Sequence, residues 1–241
     1  MIEVEDLRLA LGGTQVIDGL SFRAPEGEVT GFLGPNGAGK TTTMRILATL
    51  LRPDSGSARV AGHDVVREPT EVRRRIGLVT EEPSLLDRLT VREQLTFTGR
   101  AYDLSPQRVA ERIEVVASLL ELDLDKRAGT LSKGNRQKAS LARALVHDPP
   151  VLLLDEPTAN LDVVAQAAMQ ELLRRPEVRS GKTVFLSTHV LDEAERLCDR
   201  VVGIVSGKVV AEGTPAEIVA RSGAPDFRSA FLDLLGTRAL G

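Results

Sequence analysis

GPNGAGKT, residues 34–41, fits the pattern G-x-x-x-x-G-K-[ST]. Its flanks suit that pattern. EVTGFL (28–33) reads as a strand, and the apolar spacing after Lys40 predicts a helix over 40–51, ended by Pro53. Glycines at Gly34, Gly37 and Gly39 let the backbone curl, so that N–H groups of a loop also holding Pro35, Asn36 and Ala38 point at phosphates. The following helix adds the positive end of its dipole. Lys40 is placed to reach the β- and γ-phosphates, and the Thr41 hydroxyl to ligate Mg²⁺, with Thr42 next in the same nucleotide-binding run.

Working outward, VLLLDEP (151–157) supplies a partner element. A buried strand ending in Asp155 brings a carboxylate to the magnesium shell, and Glu156 beside it is placed to accept a proton from an attacking water. A second loop is harder to explain. LSKGNRQKASLARAL (131–145) sets Ser132 and Gly134 at the start of another helix, which is again an anion site by the dipole and unpaired N–H argument. Two such loops grip one phosphate only if a second surface closes over the first.

Thirty-one basic and thirty-four acidic residues leave a net charge of -3, where a general nucleic-acid binder would be basic. No nucleic-acid partner is expected. The single cysteine, Cys198, excludes an intramolecular disulfide and falls at helical spacing from Leu191 and Ala194, as a packed side chain rather than a nucleophile. Arg73, Arg74 and Arg75 read as a solvated helix end. No apolar run approaches the eighteen residues of a spanning helix, and the start, MIEVEDLRLA, lacks an apolar signal core. A cytoplasmic location follows as an expectation. The opening thirty residues alternate as strands joined by turns, and further strands are predicted at 58–61 and 76–80. Between about 90 and 147 the spacing turns helical, with Val109, Ile113, Val116 and Leu120 on one stripe. VLLLD and KTVFLST then alternate with helices, which argues a parallel sheet covered on both faces.

GPNGAGKT, LSKGN, VLLLDE, ANLD and STH, in that order, resemble the ATP-binding cassette family over nearly the whole chain. The resemblance implies an α/β fold: a P-loop NTPase core of RecA-like type with an antiparallel β subdomain and an inserted all-helical subdomain. It implies a single domain over 1–241, with 1–83 and 148–241 forming the β subdomain and core, and 84–147 the helical part carrying Ser132 and Gly134. It further implies ATP and Mg²⁺ as cofactors and a second cassette, the same chain or a paralogue, packed head to tail. The two loops then serve two different nucleotides. Asp162 in ANLD falls in the dimer-contacting loop, and His189 is the switch histidine that touches the γ-phosphate. Read without the family, Asp162 caps the next helix and His189 is a polar strand end.

Three departures stand out. Glu81 occupies the place where many relatives carry a metal-contacting glutamine. Leu11 stands where many stack an aromatic ring on adenine, so weak base selectivity is expected. Lys133 and Asn135 replace the usual Gly and Gln of the signature. One cassette with a short insertion points to the ATPase subunit of a transporter whose membrane-spanning permease is a separate chain, with EEPSLLDRLTVREQL (81–95) at the docking surface. The wording resembles bacterial exporters. An importer subunit and a soluble ATPase acting on ribosomes or nucleic acid are the alternatives.

Overall fold

The computed structural model describes residues 1–236; the expected domain extends to 241, and 237–241 lie outside the described residues. Two strands open the chain, β1 (Ile2–Leu11) and β2 (Thr14–Ala24), paired antiparallel around Gly12 and Gly13. β3 (Val29–Leu33) leaves for a second sheet, while β4 (Ser55–Val60) and β5 (His63–Asp64) return to the first, giving the order β2-β1-β4-β5. The second sheet adds β6 (Ile76–Val79), β7 (Val151–Asp155), β8 (Thr183–Thr188), β9 (Arg200–Val205) and β10 (Lys208–Gly213). Its order is β10-β9-β3-β8-β7-β6, parallel throughout except for β10 on β9.

The aliphatic run of β7 is continuous because each face of the strand meets a different core. Leu153 packs with Phe32, Phe185 and the residues of the antiparallel sheet, while Leu152 and Leu154 pack with the helices on the other side. Phe22, Phe32 and Phe185 meet in the first core with ring centroids 5.2–5.4 Å apart.

Two helices precede β6: α1 (Lys40–Leu47) and α2 (Pro69–Arg75). The first is shorter than its periodicity predicts. Thr49 adopts a left-handed conformation (φ 62°), and the Leu50 and Leu51 amides fold back onto the Arg45 carbonyl, so the helix ends well before Pro53. Between β6 and β7 lie α3 (Val91–Ala101), α4 (Pro106–Leu120) and α5 (Lys133–Leu145). Local sequence starts each of them. Thr90 and Glu93 form a reciprocal cap, Ser105 caps α4 ahead of Pro106, and Ser132 caps α5. Val109, Ile113, Val116 and Leu120 are buried, as their stripe predicts. The remainder of the chain contributes α6 (Val163–Arg174), α7 (Pro176–Arg179), α8 (Leu191–Leu197), α9 (Pro215–Ser222) and α10 (Phe227–Gly236).

This topology decides where the chemistry collects. β3, β8 and β7 are neighbours in parallel register, Leu33 opposite Thr188 and Asp155 opposite Ser187, so the residues following all three strands emerge at one edge of the sheet.

Candidate active site

Gly34 follows β3, and the loop it opens ends at Gly39, where α1 begins. Gly37 (φ 80°) and Gly39 (φ 108°) take left-handed backbone, as a phosphate cradle requires. Gly34 does not. Its constraint is space, because an added Cβ would collide with the Ile204 carbonyl oxygen and lie 2.9 Å from Ile204 Cγ2. Lys40 is only 6% exposed. Its ammonium donates to the carbonyls of Gly34 (2.8 Å) and Pro35 (3.2 Å) and stands 3.4 Å from Glu156 Oε1.

Asp155 and Glu156 end β7 in different ways. Asp155 Oδ1 accepts Ser187 Oγ at 2.6 Å and Thr41 Oγ1 at 3.3 Å, which ties the start of α1 to the middle of the sheet. Glu156 turns into left-handed backbone (φ 48°), a conformation that costs a non-glycine residue about 1–3 kcal/mol. The turn is held by its own amide, which bonds Ser187 O (3.2 Å) and Ser187 Oγ (3.0 Å). Glu156 Oε2 then meets His189 Nδ1 at 2.9 Å. Lysine, carboxylate and imidazole thus converge at the mouth of a cavity of about 460 Å³, which Asn36, Gly37, Thr41, Thr42 and Glu81 also line. Glu81 accepts Asn160 Nδ2 at 3.0 Å.

Not every expected residue comes to this cavity. Leu11 is 44% exposed at the tip of the β1–β2 hairpin and is not among the lining residues; Val16, on the returning strand, is. The two-residue turn at Gly12 and Gly13 carries Leu11 past the site. Ser132 and Gly134 lie at the start of α5, outside the cavity of their own chain. The Ser132 hydroxyl accepts the Asn135 amide at 3.3 Å, and a Cβ on Gly134 would come within 3.0 Å of Ala165 Cβ, so α5 and α6 meet there at their first turns. Asp162 caps α6, its Oδ1 accepting the Ala165 amide at 2.9 Å. Burial pushes the Cys198 thiol well up, and its sulfur lies against Gly31 in the core, far from nucleophile chemistry.

Sequence reasoning missed Ser187, which bonds both Asp155 and Glu156, and Asn160. Both fall inside the stretches STH and ANLD, but a serine one residue before a strand end does not announce which distant groups it will bond.

A family profile described as ABC transporter matches residues 17–159, from β2 through the loop after Glu156. Nod factor export ATP-binding protein I of Paraburkholderia xenovorans (strain LB400) is 42% identical over 221 residues, which cover 91% of this chain and 72% of that protein. A solved ATP-binding subunit of an ABC transporter superposes with a TM-score of 0.87 at 30% identity, covering 98% of this chain and 99% of the other. A dimeric post-hydrolysis ATP-binding cassette bound to ADP and Pi superposes at 0.79 and 26% identity, covering 89% and 98%. The matched span takes in the phosphate loop, Ser132, Gly134 and the Asp155–Glu156 pair, and with it the chain belongs to the ABC transporter family, as an ATP-binding and ATP-hydrolysing subunit.

Proposed function

We propose that this ATPase works as one half of a cassette dimer that powers a separate membrane permease, in the direction of export. The hydrolytic half of the reading is carried by Glu156, whose Oε1 lies 3.4 Å from Lys40 Nζ and whose Oε2 lies 2.9 Å from His189 Nδ1; the transport half is supported by the similarity to export subunits. In this reading the chain is a single domain, with 84–147 as its helical part and 1–83 and 148–241 as the core. Ser132 and Gly134 of one copy face the γ-phosphate held by Lys40 of the other, and Asp162 lies in the contact between them.

The chemistry follows from the side chains. Loop amides and Lys40 bind the phosphate chain and neutralise it. Glu156 takes a proton from water as the water oxygen bonds to the γ-phosphorus and the bond to the bridging oxygen of ADP breaks, leaving ADP and inorganic phosphate. His189, hydrogen-bonded to Glu156, orients the carboxylate and the water. Thr41, Asp155 and Glu81 are the residues to hold Mg²⁺. They offer hard oxygen donors, and Thr41 Oγ1 and Asp155 Oδ1, 3.3 Å apart, approach the spacing of about 3 Å between adjacent ligands of an octahedral ion. Among the described residues no three His, Cys, Asp or Glu side chains group into a metal site, so phosphate oxygens and water would complete the shell. When bound, the ion would neutralise charge on the β- and γ-phosphates.

Among the described residues no helix is long and apolar enough to cross a membrane. Energy would reach the bilayer through the segment 81–95, where Leu86 is 60% exposed and a cavity of about 350 Å³ opens between Arg45, Leu50, Leu78 and Ser84. The chain would then sit peripherally on the inner face of the membrane. Export is supported by the similarity to a Nod factor export subunit. The test is to tag the Glu156→Gln chain, recover it with ATP from detergent-solubilised cells that make it, and identify its partners by mass spectrometry. A polytopic membrane protein is expected; ribosomes or nucleic-acid machinery, with no membrane protein, would overturn the reading.

A further inference from the structure

One buried carboxyl group has no part in the chemistry above. Glu193, in the first turn of α8, is 1% exposed, and both of its oxygens are occupied by hydroxyl groups, one from the turn after β7 and one from the last residue of β8. Thr158 Oγ1 donates to Oε1 at 2.7 Å, and Thr188 Oγ1 donates to Oε2 at 2.6 Å. The Thr188 oxygen in turn accepts the Val190 amide at 3.1 Å. Thr158 stands two residues after Glu156, and Thr188 immediately before His189. Glu193 therefore ties together the two backbone arms that carry the Glu156–His189 pair.

Packing alone does not call for an acid here. An apolar side chain would avoid the desolvation cost of a buried carboxyl group but would leave the Thr158 and Thr188 hydroxyls without the acceptor they share. The left-handed backbone of Glu156 supplies a reason for the acid. Such a conformation persists only where its surroundings over-determine it. On one side Ser187 holds the Glu156 amide, and on the other the Thr158–Glu193 bond anchors the chain as it leaves the turn. Without that anchor the turn is free to relax and to swing the carboxylate away from His189.

We propose that Glu193 is a positioning residue for ATP hydrolysis, acting through Thr158 and Thr188 to keep Glu156 and His189 in register. The proposal rests on the roles given to those two residues above. Its test is single-turnover ATP hydrolysis by the full chain, alongside titration with a non-hydrolysable ATP analogue. Glu193→Ala is expected to slow hydrolysis by about ten- to a hundredfold, since misplacement by about 1 Å costs that much, while leaving analogue affinity within about twofold. Glu193→Gln recovers most of the rate, because its amide oxygen accepts one hydroxyl and its amide nitrogen donates to the other. Thr158→Val, nearly isosteric, removes one arm and reproduces part of the loss even where Glu193→Ala fails to fold. In a His189→Ala background, Glu193→Ala is expected to add less than about a twofold loss, because coupled residues are not additive. Parental rates for Glu193→Ala and Thr158→Val, a loss of rate matched by loss of analogue binding, or full additivity with His189→Ala would each overturn the proposal. Parental rates for Glu156→Gln and His189→Ala would instead overturn the catalytic assignment, and the positioning role with it.

Discussion

Replacing Gly34 by alanine is expected to lower both stability and nucleotide affinity, for a reason that has little to do with backbone freedom. The new methyl would sit 2.9 Å from Ile204 Cγ2 and 3.2 Å from Ala38 Cβ, and closer still to the Ile204 carbonyl oxygen. Carbon atoms rest about 3.5–4.0 Å apart, so the Cγ2 contact alone demands a retreat of about 0.6–1.1 Å. Ile204 cannot yield easily, because β9 is laddered to β3 through Val201, Val202 and Gly203. Overpacking of this kind costs about 1–3 kcal/mol. In a chain of this size that is a fall in Tm of about 2–12 °C. Moving Gly34 also displaces the loop whose amides, with Lys40, would hold the phosphate chain. Losing one hydrogen bond to a charged group costs about 1.5–3 kcal/mol, which is roughly a ten- to hundredfold weaker binding of an ATP analogue. Thermal melting and analogue titration measure the two effects. Gly12→Ala is the control: its Cβ would meet nothing within 4 Å, so only the modest cost of its positive φ is expected, with affinity unchanged. A Gly34→Ala chain melting within about 1 °C of the parent and binding the analogue within about twofold would refute the steric argument.

Glu156→Gln is expected to lower the hydrolysis rate by about 10²–10⁴-fold while keeping or tightening ATP binding, since Lys40 loses the carboxylate 3.4 Å away; a rate within tenfold of the parent would remove Glu156 as the base. Glu81→Gln exchanges a hard anionic donor for a neutral amide and should raise the Mg²⁺ concentration needed for half-maximal nucleotide binding. Identical magnesium titrations for both chains would count against a metal role for Glu81. His147, stacked on Tyr102 at 3.7 Å with Nε2 3.0 Å from the Ile76 carbonyl, is pulled by burial down to about 4. The unfolded chain takes up that proton near 6.5, so stability is whole above 6.5 and declines as pH falls toward 4, by at most about 3 kcal/mol. Between pH 7 and pH 5 the parent should therefore lose about 4 °C more in Tm than His147→Gln, and equal losses would sink this account.

Residues whose duty is local were legible in the sequence. Lys40 and Thr41 stand within a few residues of the glycines that announce them and line the same cavity, and Val109, Ile113, Val116 and Leu120 advertise a buried helix face through spacing alone. Asp155 could be read because an aliphatic run has to end somewhere charged. Other duties are set by distant chain segments. Gly34 is small because of Ile204, 170 residues away, and Gly134 because of Ala165. Ser187 meets Asp155, and Glu193 meets Thr158, only when β7 and β8 pair in register. The motifs end with STH, before β9, β10 and the helices after them; β9 takes its place by pairing with β3, β10 by pairing with β9, and α10 by packing on α8. Val16 rather than Leu11 lines the cavity beside the phosphate loop, because the strand that returns from the hairpin, not the one that leaves, faces it.

The position of β3 bears on how the molecule moves. Its five residues are all buried, and it is bonded on both sides, to β8 and to β9, in the middle of the sheet. Amides so placed open to solvent only when the whole fold does, whereas hairpin tips and helix ends fray at little cost. In hydrogen exchange, the Val29–Leu33 amides should be among the last to be labelled, and those around Gly12 and Gly13 among the first. The floor beneath the nucleotide is thus a rigid datum, and any shift of α3, α4 or α5 during turnover is measured against a phosphate loop whose root stays fixed.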